Sequence, residues 1–201
     1  MKRFAIFGIV LLWLGGALAA DDSASTLVRD TSQRMLSALE SHRAEIDRDP
    51  ERIYPLLDTI VVPHFDFERI TASAMGRYWR RATPEQRREL TQQFQELLVR
   101  TYAKALLAYS GQKIRYLPVR PGGSPSVVTV ATQVQEPGSP PVAIDYSLHR
   151  KDGDWKVFDI AIDHVSLVAN YRSSFASQIR QGGIDGLIDR LREMNTKKDR
   201  A

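Results

Sequence analysis

The spacing of apolar residues changes at Gly111, and that change constrains the fold more than any other feature of the sequence. Before it, apolar side chains recur every three to four residues; after it, every second residue. The first period belongs to amphipathic helices and the second to half-buried strands. Leu27, Met35, Ala38, Leu39 and Ile46 predict one long helix over 22–49, and a shorter helix over 51–61 is ended by Pro63. Phe67, Ile70, Ala74, Met75 and Tyr78 predict a third. Thr83-Pro84-Glu85-Gln86 then supplies a capping hydroxyl, a proline at the first helical position and a glutamine at the third. Together these start a fourth helix that runs to Tyr109.

Beyond Gly111 four strands are predicted, 113–119, 126–135, 142–151 and 155–162, divided by PGGSP, EPGSPP and Asp152-Gly153-Asp154. Connections this short join antiparallel neighbours, so a meander is expected. In its third strand Val142, Ile144, Tyr146 and Leu148 share one face, and Asp145, Ser147 and His149 share the other. Helical spacing returns over 165–180, breaks at Gly182-Gly183 and resumes over 184–194. The expectation is an α+β domain: a curved antiparallel four-stranded meander covered by N- and C-terminal helices, with an apolar interior.

The first nineteen residues read as a secretion signal. Lys2 and Arg3 form its positive head, Phe4 to Leu14 its apolar run, and Ala17-Leu18-Ala19 its small-residue cleavage motif, with cleavage near Ala19/Ala20. A single domain is expected over 20–196, with 197–201 a charged tail. The chain has no cysteine, which excludes disulfides, thiol catalysis and thiolate metal sites. Two of its four formal net charges leave with Lys2 and Arg3, so +4 falls to +2 and nucleic acid is not an expected partner.

Few residues suggest chemistry. Asp163, His164 and Ser166 offer a base, an orienter and a nucleophile, but sequence neighbours rarely meet in triad geometry. The simpler reading is that Asp163 or Ser166 caps the helix that follows. His42, His64, His149 and His164 are scattered without metal-ligand spacing, and no glycine-rich loop opens a helix after a strand. Neither a catalytic residue nor a metal site is expected. Arg77-Tyr78-Trp79-Arg80-Arg81 with Arg87 and Arg88 interleaves cations and aromatics, as either a headgroup or partner surface or a solvated basic helix end.

Three segments carry a resemblance: HFDFERITASAMGRYWRRATPEQRRELTQQFQELLVRTYAKAL, PVAIDYSL and GDWKVFDIAIDHVSLVANYRSSF. In this order they resemble the periplasmic phospholipid-binding MlaC family, also called the toluene-tolerance auxiliary family, over nearly the whole mature chain. One departure is His164, where the family pattern leads to an expected glycine. The resemblance implies a soluble, non-enzymatic carrier in the periplasm that shuttles phospholipid between the inner and outer membranes and maintains outer-membrane lipid asymmetry. The implied partners are an inner-membrane ABC transporter with an MCE-domain ring and an outer-membrane lipoprotein associated with a porin. The implied fold is a twisted sheet with helices over it, enclosing an apolar pocket for acyl tails. Phospholipid is then cargo, and no cofactor is expected; nor is any oligomer beyond a monomer.

On that reading the inward apolar residues become pocket walls. By position and pattern these are Phe94, Leu98, Tyr102, Val130, Ile144, Tyr146, Phe158, Ile160, Val168 and Tyr171. Arg172 stands either at the pocket mouth or in a pair with Asp145 or Asp159. The rival readings are an envelope hydrolase acting on lipids or peptides through Ser166 and His164, and an adapter with a solid core.

Overall fold

A computed structural model describes residues 17–198. Apart from its last three residues, the expected secretion signal lies outside the described residues, as do residues 199–201 of the expected tail. The helix predicted over 22–49 is two helices, α1 (Ala17–Ser41) and the single turn α2 (Arg43–Ile46). His42 separates them at φ −103°, ψ 12°. The Ala38 carbonyl takes both the His42 backbone N–H and its imidazole Nδ1, each at 3.0 Å. Side-chain bonding of this kind competes with continuation of the helix.

Asp49 accepts from the Glu51 N–H and starts a 3-10 turn that leads into α3 (Ile53–Ile60), which buries Ile53, Leu57 and Ile60. Asp66 caps α4 (Phe67–Met75) by accepting from the Arg69 N–H at 3.1 Å. The helix predicted to reach Tyr78 stops at Met75, because Gly76 takes φ 54°, ψ −127°, and a 3-10 turn follows over Gly76–Arg81. A left-handed φ of this kind suits glycine and halts α-helical hydrogen bonding.

The reciprocal cap read at Thr83 is present at the head of α5 (Pro84–Leu107): Gln86 N–H donates to Thr83 Oγ1 at 3.2 Å, and Thr83 N–H to Gln86 Oε1 at 3.0 Å. Thr83→Ala is expected to cost about 1 kcal/mol, read as a lowered urea midpoint with an unchanged slope.

The sheet follows in β1 (Lys113–Tyr116), β2 (Arg120–Pro121), β3 (Val127–Gln135), β4 (Val142–Lys151), β5 (Asp154–Ile162) and β6 (Val165–Ser166). Among the described residues it has six antiparallel strands in the order β1-β3-β4-β5-β6, with β2 also on β3. The four predicted strands are its four longest, in the meander order expected; β2 and β6 are two-residue additions. α6 (Leu167–Lys198) completes the chain and is broken at Gly183 (φ 70°, ψ −171°), within the predicted Gly182-Gly183 interruption.

The apolar interior is divided into three clusters. One joins α4, α5 and α6 through Ile70, Met75, Leu90, Phe94, Leu97 and Leu191. A second packs Ala24 and Val28 of α1 on the sheet residues Val128, Val130, Leu148, Trp155 and Val157. The third holds the other end of α1 against α3 and α5 through Met35, Leu39, Ile53, Leu57 and Ala103. Phe65 packs against both the first and the second.

Candidate functional site

Cross-strand pairing fixes which side chains share the inner face. Val128 pairs with Leu148, Val130 with Tyr146, Thr132 with Ile144, Tyr146 with Ile160, and Ile144 with Ile162. Directly paired residues point the same way, so these form one apolar surface, continued by Val142 and by Val165, the partner of Ile162. Its two ends differ. At one, Val128, Leu148, Trp155 and Val157 are buried beneath α1. At the other, Ile144, Tyr146, Ile160 and Ile162 are only half-buried, Val142 is 38% exposed and Val165 59% exposed.

That half-open end is where β1 begins and β5 finishes, since Lys113 pairs with Gln135, Val134 with Val142, and Ile144 with Ile162. The end of α5 leads into β1, and β5 leads through a short turn and β6 into α6. Tyr102 near the end of α5 and Tyr171 in the first turns of α6 are also half-buried. Connectivity therefore attaches the end of α5 and the start of α6 at the half-open end of the sheet.

Phenol chemistry agrees with this enclosure. Burial, with Tyr116 nearby, pushes the Tyr146 hydroxyl up to about 12, against a lowering hydrogen bond with Thr132. Its ring is half-buried, so the hydroxyl end is the enclosed one, beside Thr132, which itself donates to the Ile144 carbonyl at 3.1 Å. Burial likewise raises Tyr102, with Tyr171 adding to it, and raises Tyr171. All three remain neutral at physiological pH, since burial disfavours the phenolate.

The ten residues chosen from sequence fall on two sides of the interior. Phe94, Leu98, Tyr102, Val168 and Tyr171 lie in the helical cluster, where the Phe94 ring meets Tyr171 edge-on with centroids 4.9 Å apart. Val130, Tyr146 and Ile160 lie in the sheet cluster, and Ile144 stands half-buried beyond it. Phe158 is turned away. The β4–β5 register slips between Ser147, paired with Asp159, and Leu148, paired with Val157. Phe158 is the extra residue of this bulge, and it stacks edge-on against His149 at 5.5 Å with the Arg69 guanidinium 4.2 Å above it. Two hollows, of about 460 and 300 Å³, open elsewhere and are lined by none of the ten.

The polar residues resolve into structural roles. Ser166 caps α6, accepting from the Ala169 N–H at 3.1 Å and donating to Asp159, whose other oxygen accepts from the Val168 N–H. Asp163 caps nothing on the helix; it accepts from the Ala143 N–H across the sheet. Asp163 and His164 take φ 45° and 66° and form the two-residue turn between Ile162 and Val165, so histidine occupies a left-handed position that favours glycine. Arg172 pairs with neither carboxylate: it donates to the Ser73 carbonyl at 2.9 Å, while Asp145 is held by Arg120 at 2.7 Å. Among the described residues, no group of three or more His, Cys, Asp or Glu is placed to hold a metal, and no helix is long and apolar enough to cross a membrane.

Sequence reading missed a buried polar cluster. Asp66 accepts from His149 Nε2 at 3.0 Å and from Lys151 Nζ at 3.1 Å, in addition to capping α4. Its partners lie more than eighty positions away, and no local pattern announces them.

The family model for the MlaC protein matches residues 29–193. The chain belongs to the MlaC family. It is 24% identical over 177 residues to the intermembrane phospholipid transport system binding protein MlaC of Haemophilus influenzae, a match covering 87% of this chain and 83% of that one. It is 27% identical over 160 residues to the toluene tolerance protein ttg2D of Pseudomonas putida, covering 79% and 74%. Among solved structures it is similar to a phospholipid-binding protein from Ralstonia solanacearum in complex with a phospholipid. That structure superposes with a TM-score of 0.81 at 34% identity, over 88% of this chain and 99% of the other. The α+β architecture is thus that of a family whose members include phospholipid-binding proteins.

Proposed function

We propose that this MlaC-family chain is a periplasmic, non-enzymatic phospholipid carrier, and that it takes acyl tails at the half-open end of its sheet. One observation carries the placement: the inner face is buried at the Trp155 end and exposes valines at the Val142 and Val165 end, where α5 finishes and α6 begins. The likeness to a solved phospholipid complex supports the class of cargo. On this reading the carrier moves lipid between an inner-membrane ABC transporter with an MCE-domain ring and an outer-membrane lipoprotein with a porin, after residues 1–19 are removed.

Energetics suit a carrier without its own fuel. Taking roughly 30 methylenes from water into an apolar site at about 0.8 kcal/mol each exceeds the ceiling of noncovalent affinity. Exchange from bilayer to cleft, however, moves tails between two apolar media, so that term nearly cancels. Partners can then tip loading and release through modest differential contacts.

Native mass spectrometry of the mature protein, purified from the periplasm without detergent, is the direct test: stoichiometric phospholipid is expected, and a reproducibly empty protein would overturn the reading. Tyr146→Glu should lower lipid occupancy about tenfold or more, because it sets an unpartnered carboxylate where the buried phenol end now sits. Retained circular dichroism in that variant separates lost cargo from lost fold, and unchanged occupancy would remove Tyr146 from the cleft.

A further inference from the structure

The basic segment after α4 closes one side of the hollow of about 460 Å³, at the point where α6 breaks. Its floor is apolar, made by Tyr78, Ile179 and Ile184, and its rim carries Arg81 and Arg180. Three guanidinium groups converge on one phenol. Arg77 Nη2 donates to the Tyr78 hydroxyl at 3.0 Å with its charge 5.0 Å from the ring centroid, Arg81 lies 5.7 Å from the same centroid, and Arg180 lines the hollow beside the phenol, whose hydroxyl is held below its ordinary value by the Arg77 bond first, with Arg180 adding to it. Between residues 77 and 88 the sequence holds five arginines and one carboxylate, Glu85.

Two of the nearby carboxylates are paired with other cations, and the third, Asp185, is held by the neutral Gln86 amide at the edge of the hollow. Glu85 pairs with Arg88 at 3.3 Å, Glu89 with Arg192 at 3.0 Å, and Asp185 accepts from Gln86 Nε2 at 2.6 Å. Among the described residues no ion pair joins Arg77, Arg81 or Arg180 to a carboxylate. Like charges drawn together without an ion-pair partner repel one another. A bound anion relieves that repulsion, and forked guanidinium donors match the oxygens of a phosphate better than those of a halide.

We propose that this hollow is a phosphate site, separate from the cleft, which takes the phosphate of a phospholipid headgroup or a free phosphate. Arg81 and Arg180 supply the charge-assisted donors, Arg77 holds the Tyr78 phenol between them, and Ile179 and Ile184 give the apolar floor against which a glycerol or acyl stem rests.

The test titrates inorganic phosphate into the mature protein at constant ionic strength and follows the Nε–H resonances of Arg81 and Arg180. In parallel, flotation is measured with vesicles of phosphatidylglycerol and of phosphatidylcholine. Saturable shifts with phosphate support a site open to the free anion. Flotation with phospholipid vesicles but no saturation by inorganic phosphate supports a site that needs the headgroup in its bilayer. In either case the Arg81→Gln/Arg180→Gln variant should bind about tenfold more weakly or worse, as loss of charge-assisted bonds predicts, with unchanged cargo occupancy. If that variant melts early, Arg81→Gln alone, at an exposed side chain, decides the matter. Binding equal to wild type in the variants, or no binding of either probe by wild type, overturns the proposal. Cargo occupancy is scored separately, so an empty cleft would not be mistaken for an empty phosphate site.

Discussion

Phe94→Ala is expected to cost about 3–5 kcal/mol of folding free energy, the range for truncating a buried aromatic where the surroundings collapse only in part. Phe94 is 1% exposed and meets the rings of Tyr171 and Phe175 edge-on, each with centroids 4.9 Å apart. The substitution removes one ring and leaves two others facing a void between α5 and α6. Urea denaturation measures the loss as a large fall in midpoint. A cost below about 1 kcal/mol would mean that Phe94 already borders space, as a tail-lining residue does, and would move the cleft deeper between these two helices.

Asp66→Ala should be comparably severe, about 3–5 kcal/mol, because it removes one partner of a buried, hydrogen-bonded charge cluster. The α4 cap, the His149 bond and the Lys151 pair are lost together. The half-exposed Lys151 contributes the least of the three, its ammonium being screened by water. For a chain of this size the melting temperature should fall by roughly 10 °C. Acid should mimic the substitution. Burial by itself raises the Asp66 carboxyl, yet the Arg69 backbone N–H, Lys151 and His149 outweigh it and hold the group below its ordinary value of 3.8. A depressed folded-state value gives stability that is fully present above the ordinary carboxylate range and is lost as pH falls through the folded value. Wild type should therefore lose stability below about pH 4 more steeply than the variant, which has no such carboxyl to protonate. Parallel acid profiles would show that Asp66 holds little of the link between α4 and the sheet.

The fold was legible wherever a local rule decided the matter. The Thr83 capping box, the Gly182-Gly183 interruption and the short turns of the meander each act over a few residues, and the structure follows them. Misreadings arose where one residue changed the rule without changing the pattern. Gly76 ends α4 three residues before the apolar spacing does, and the His42 imidazole engages a carbonyl inside an otherwise continuous helical period. The site suffered from the same cause. Strict alternation puts Phe158 beside Ile160, but the bulge opposite Ser147 and Leu148 places Trp155 and Val157 on the inner face together with Ile160 and sends Phe158 to His149. Apolar composition identified Tyr102, Tyr146 and Tyr171 as inward residues, whereas the division that puts Tyr102 and Tyr171 in the helical cluster and Tyr146 in the sheet cluster is a property of topology.

Partition of the apolar interior into three clusters sets where such a molecule yields. Separating the α1–sheet cluster from the helical cluster breaks contacts at a seam bridged by Phe65, while Phe94, Leu97 and Leu191 on one side and Val128, Val130 and Leu148 on the other keep their neighbours. Phe65 does not act alone there: Asp66, through His149 and Lys151, and Arg69, over the Phe158 ring, also join α4 to the sheet. The three clusters are therefore separate packing units tied together at a few bridges, the aromatic Phe65 and the charged Asp66 among them.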